Sequence, residues 1–198
     1  MKIKNTSSCL AIVVLILAAG LPMTAVADKV IEMDLRFAGG FATGIFHLDP
    51  MTGVTVPSAL IHAHAKGKPG RAEIRGFGGR DMPPGPPVDT CLGSSGVFLS
   101  ITILENPLIF SFHDLSLLFA KGGSGTICVD LMTGLTEFEI NIMFMGGRGR
   151  FEGATGEAVI RGEAENVSND GSFLGETGTI VGWIHVPDDD DDSDSDSD

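Results

Sequence analysis

The chain has no tyrosine, one tryptophan and three cysteines among its 198 residues. No site in it can depend on a phenolic hydroxyl. Basic residues are also scarce. Thirteen Lys and Arg stand against 26 Asp and Glu, a net charge of −13. Nucleic-acid binding needs a basic footprint that displaces counterions, so that class is excluded. No stretch holds a sustained helical period, and no G-x-S-x-G elbow occurs. Gly76-Phe77-Gly78-Gly79 lacks the spacing and the strand–helix setting of a nucleotide loop. The length excludes a large multidomain enzyme.

Long apolar runs are missing too. Leu10 to Gly20 is an apolar run of eleven residues. At about 1.5 Å per residue it cannot cross a hydrocarbon core of roughly 30 Å. With Lys2 and Lys4 before it and Ala25-Val26-Ala27 after it, segment 1–27 has the layout of a cleaved secretory signal. No transmembrane anchor is expected after cleavage. Cys9 precedes the apolar run, which is the wrong place for lipid attachment. At the other end, 188–198 holds eight Asp and three Ser. Like charges repel and nothing there is buriable, so a disordered acidic tail is predicted. Its carboxylates suit weak, multivalent calcium binding, although no spaced calcium loop is present. Between these ends, 28–187 carries 11 basic and 18 acidic residues. A body of that length buries one core.

Cys91 and Cys128 remain after cleavage. In an oxidising compartment such a pair either bonds or stays as two buried thiols, and a disulfide is the favoured reading. It would close a loop worth roughly 4 kcal/mol by chain entropy.

The body reads as β throughout. Ile31, Met33, Leu35 and Phe37 alternate with Glu32, Asp34 and Arg36. Phe138, Ile140, Ile142 and Phe144 alternate with Glu137, Glu139, Asn141 and Met143. Further strands are predicted at 41–48, 59–65, 97–104, 108–119, 125–130, 154–164 and 177–186. Asp49–Gly53, Asp130–Gly134 and Asn169-Asp170-Gly171 supply turns. The Pro-rich stretch 76–90 reads as a long exposed loop. Many short strands with Gly-rich turns indicate a sandwich or a barrel.

One segment is more specific. Met145-Gly146-Gly147-Arg148-Gly149-Arg150-Phe151-Glu152-Gly153-Ala154-Thr155-Gly156 lies between two strands. It resembles the G-G-x-G-x-F-x-G-x-x-G signature of the allene oxide cyclase and dirigent barrel superfamily, which includes secreted bacterial proteins without an assigned activity. Gly146, Gly147, Gly149, Gly153 and Gly156 permit tight backbone, and Phe151 supplies a core ring. The close match covers about a dozen residues; 125–186 follows the family's C-terminal hairpins. The resemblance implies a single antiparallel β-barrel of about eight strands, often assembled as a homotrimer, whose apolar cavity guides a reactive intermediate. The signature itself holds no catalytic group, and the tyrosine usual in dirigent sites is missing.

Three constellations remain. His62 and His64 form an H-x-H pair that would share one strand face and could reach one metal. The next acid is Glu73, with Lys66 and Lys68 intervening, so solvent-facing histidines are the plainer reading and no metal or other cofactor is expected. Glu137, Glu139 and Asn141 share a face, as do Glu157, Arg161, Glu163 and Glu165. A cavity-facing Glu139 and Asn141 would serve a ligand or acid–base chemistry; a polar outer face is the alternative. Arg71, Arg75 and Arg80 with Lys66 and Lys68 make a basic cluster suited to an anion or to a neighbouring chain's acidic tail. The combined expectation is a secreted barrel that binds an apolar small molecule or associates with a surface or matrix. The alternative is a cyclase or isomerase acting in the barrel cavity.

Overall fold

The computed structural model describes residues 29–48, 53, 55–79, 86–102, 107–168 and 172–188. The expected signal segment, nearly all of the acidic tail, Arg80 and the turn at 169–171 lie outside the described residues.

Ten strands follow one another: β1 (Lys29–Leu48), β2 (Thr55–Lys68), β3 (Ala72–Gly79), β4 (Val88–Cys91), β5 (Ser94–Thr102), β6 (Pro107–Phe112), β7 (Leu117–Asp130), β8 (Thr136–Arg148), β9 (Thr155–Asn166) and β10 (Phe173–Val186). Eight of them close a ring in the order β1-β2-β3-β6-β7-β8-β9-β10. The ring shuts where β10 pairs with β1 from Lys29↔Val186 to Ala42↔Phe173. Every pairing is antiparallel. The fold is the expected eight-stranded antiparallel barrel, and closure leaves the ring without free edges.

Strand parity decides what fills it. Met33, Leu35 and Phe37 of β1 are buried while Glu32, Asp34 and Arg36 face water. On β8, Phe138, Ile142 and Phe144 are buried while Asn141 and Met143 are exposed. One continuous apolar cluster results, with Phe110, Leu118, Ile180 and Ile184 fully enclosed. Each such side chain contributes roughly 1.5–3 kcal/mol by leaving water.

β4 and β5 stand outside the ring. β7 pairs with β6 over Leu117–Lys121 and with β5 over Thr126–Asp130. Between these halves a bulge at Gly122/Gly125 shifts the register against β8. An extra residue exchanges the two faces of a strand. Ala120 therefore points inward before the bulge and Ile127 packs on the core after it, while Cys128 joins Cys91, Phe98 and Val88 in a second cluster. Cys91 and Cys128 are disulfide-bonded there, their Cα atoms 5.9 Å apart.

Some sequence expectations change. The strands expected at 31–37 and 41–48 are one, β1 (Lys29–Leu48). The span 108–119 is two strands, because Asp114 accepts the Ser116 amide at 3.2 Å and Leu115 turns into the left-handed region at φ 66°. The stretch 76–90 is not wholly loop: Gly76–Gly79 completes β3, and Val88–Thr90 lies in β4.

The glycine-rich segment plugs one end of the barrel. A 3₁₀ turn, Gly149–Phe151, follows β8 and drives the fully buried Phe151 ring against Phe112, centroids 4.8 Å apart. Gly149 has φ +65°, and a Cβ at Gly147 would strike the Leu117 carbonyl and the Phe151 backbone. These two positions therefore require glycine. Arg150 lies over both rings, 4.8 and 4.7 Å from their centroids, and pairs with Asp114 at 3.2 Å.

Candidate functional site

The lumen is packed toward Phe151 and looser toward the other end. One cavity of about 50 Å³ lies among Phe37, Ile74, Leu108, Ile160 and Ile180. A second, of about 90 Å³, lies nearer the barrel end, beside Phe41, Thr43, Ser58, Ile127 and Thr136. Both are also lined by Ile61, Phe138, Ile140 and Glu176. Together they approach the roughly 150 Å³ of a dry apolar cavity that admits a benzene-sized guest.

Among the described residues Glu176 is the one acidic side chain that lines these cavities. It sits on β10 with the parity of Leu174, Ile180 and Ile184, so it points inward with them. Its register partners are Gly39 on β1 and Ala164 on β9, both small. Beyond them lie Ala63 and Thr136 in the same row. Small neighbours leave room around the carboxyl without offering a counter-charge. Glu176 is 8% exposed, and among the described residues it has neither a hydrogen bond nor an ion pair. Burial penalises the ionised form and pushes its carboxyl from 4.5 up to about 7. A neutral acid in an apolar chamber donates one hydrogen bond; once ionised, it accepts a proton or a cation.

The residues singled out from the sequence lie elsewhere. Glu139 and Asn141 have the parity opposite to Phe138 and Ile142 and face outward. Glu139 accepts a hydrogen bond from Arg161 at 2.7 Å, and the Asn141 side-chain amide donates to the Ser124 carbonyl at 3.2 Å. The apolar partners on β8 bury far more area by facing in, which turns these polar groups out. They do not line the lumen. His62 and His64 are also outside, their rings 5.1 Å apart and edge to face. His62 Nε2 lies 2.7 Å from Glu73, which also accepts from Arg75 at 2.7 Å. The Arg75 hydrogen bond and then the His62 contact hold the Glu73 carboxyl below its usual range. Among the described residues no three His, Cys, Asp or Glu side chains gather as a metal set.

The sequence pattern starts the last strand at Thr177, which leaves Glu176 outside it. One residue more would have put Glu176 in phase with Ile180 and Ile184. That parity was the available signal.

No family model and no curated protein matches the chain. Among solved structures, a pterocarpan synthase dirigent protein is similar, with a TM-score of 0.35 and 13% identity over 80% of this chain and 89% of that one. At that score and identity the likeness decides nothing about this chain, whose barrel stands on the pairing of its own strands.

Proposed function

We propose that this barrel is an exported, non-catalytic binder of a small, largely apolar molecule, held in the lumen with Glu176 as its polar anchor. The observation that carries the reading is the one carboxyl buried among the described residues, set between two apolar cavities. A packed structural core has no use for an unpaired acid, whose burial is costly. A guest with one carbonyl, ether or hydroxyl oxygen would accept the Glu176 proton and offset that cost. The cavities favour a guest near one aromatic ring in size, or a longer one that enters end-on through the Thr43–Ser58–Thr136 side. Export by segment 1–27, and assembly of three copies, complete the reading.

The test is equilibrium binding of a neutral environment-sensitive fluorophore, with Ile61→Trp and Glu176→Gln variants. Ile61 lines both cavities, so the larger side chain should abolish binding. Glu176→Gln should retain binding but lose its pH dependence. Unchanged binding by Ile61→Trp would place the probe outside the lumen and end this reading.

A second reading, a cyclase or isomerase, is favoured by one observation only: a carboxyl facing two cavities, pushed by its burial up to about 7, suits a general acid or base. It requires a guest that is chemically converted, with turnover lost in Glu176→Gln while binding persists.

A further inference from the structure

The outer face of β1, β2, β3 and β6 has an electrostatic character opposite to that of the whole chain. A groove of about 770 Å³ lies there, bordered by Arg36, Lys66, Arg71, His64 and His113, with one carboxylate, Glu73, also in its lining. Arg36 and Lys66 are register partners on adjacent strands. Arg71 stands at the start of β3, where its carbonyl accepts the His113 amide at 3.4 Å. The nearby acids are largely engaged. Glu73 is held by Arg75 and His62, Glu32 by Lys68 at 2.9 Å, and Asp114 by Arg150. Asp34 remains beside Lys68. Among the described residues Arg36, Lys66 and Arg71 have no acidic partner within 4 Å.

The described chain ends at the same end of the barrel as the β2–β3 connection. Pro187 packs against Gly153, so that a Cβ there would meet its ring at 2.9 Å. Gly153 is two residues from Phe151, whose ring packs tilted against Phe112, and a Cβ at Gly70, just before Arg71, would lie 3.5 Å from Arg150 and 3.9 Å from Phe112. From this root the sequence continues as the Asp-rich segment 188–198. Eleven extended residues reach roughly 35 Å, enough to cross several strands of a small barrel.

We infer that this groove is the docking place of the chain's own Asp-rich segment, 188–198. The cations left unpaired on the barrel meet the densest run of carboxylates in the sequence. A short tether gives the segment an effective concentration in the millimolar range, which lets individually weak charge pairs hold. The contact covers the basic face and withholds it from other polyanions.

The experiment uses the full protein with a nitroxide on Ser193→Cys and records paramagnetic broadening of backbone amides. At about 0.01 M salt, where screening extends about 30 Å, the signals of Arg36, Lys66 and Arg71 should lose more than half their intensity. By about 1 M salt, with screening near 3 Å, the loss should vanish. It should be unchanged on tenfold dilution. It should disappear in an Arg36→Gln, Lys66→Gln, Arg71→Gln variant, and equally when the eight tail aspartates are replaced by Asn. No broadening at low salt would overturn the inference, as would broadening indifferent to either set of substitutions. Broadening that fades on dilution would also overturn it, since the segment would then be docking on a second copy.

Discussion

Raising the pH should weaken this fold through one carboxyl, and the size of the effect follows from its burial. Below about pH 4.5 Glu176 is protonated in both folded and unfolded chains and makes no difference between them. Between 4.5 and about 7 the unfolded chain loses the proton while the folded barrel keeps it. Unfolding then gains free energy with each step in pH, so stability falls across that window and levels off above it. A gap of roughly 2.5 pH units, at about 1.4 kcal/mol each, amounts to about 3 kcal/mol. Urea denaturation followed by the fluorescence of Trp183 at several pH values would measure it, with Glu176→Gln as the reference. The stability difference between variant and parent should move by about 3 kcal/mol in favour of the variant from pH 4.5 to 8. Glu73, Asp114 and Asp130 have carboxyls held below their usual range, so their contributions are lost at the acid end, outside this window. They also cancel in the comparison. A difference that stays flat with pH would show that Glu176 is solvated, and the argument for an anchoring acid would fall with it.

Probe binding should follow the same carboxyl: an uncharged guest that accepts a hydrogen bond should bind best below pH 7 and weaken above it, a trend checked by fluorescence titration. Phe151→Ala should cost about 3–5 kcal/mol, since it empties a fully enclosed site and removes the tilted ring contact with Phe112; thermal or urea denaturation reads it. Replacing Cys91 and Cys128 together by Ser should cost about 4 kcal/mol on the chain-entropy estimate, with amide exchange rising first in β4 and β5. Glu139→Ala and Asn141→Ala should leave probe binding unchanged and alter stability by no more than about 1 kcal/mol, because Arg161 and Glu139 form an exposed pair.

Much of the barrel was legible from period-two alternation. Burying one face of β1 and β8 forces every second residue to be apolar, and Met33-Asp34-Leu35-Arg36-Phe37 states this directly. Closure was carried by the resemblance around Phe151, not by alternation, which a sandwich shares. The break at Asp114–Ser116 was hidden because apolar residues run on both sides of a side-chain-stabilised turn. The lumen carboxyl was hidden for a different reason. Glu176 sits among Gly175, Thr177 and Gly178, a composition that reads as a strand end, and a buried acid breaks the pattern used to find strands. Glu139 and Asn141 form a polar stripe in the sequence, yet the Phe and Ile alternating with them settle which way that stripe faces. The bulge in β7 that turns Cys128 away from the lumen depends on register against β8, which no local pattern records.

None of the eight pairings that shut the cylinder runs through β4 or β5. That hairpin is an annex, fastened by half of one strand and by a covalent clasp. Lengthening it, trimming it or exchanging its sequence around Cys91 would leave the staves of the cask in place. It is the part of this molecule that natural variation or an engineer could rewrite at least cost to the rest.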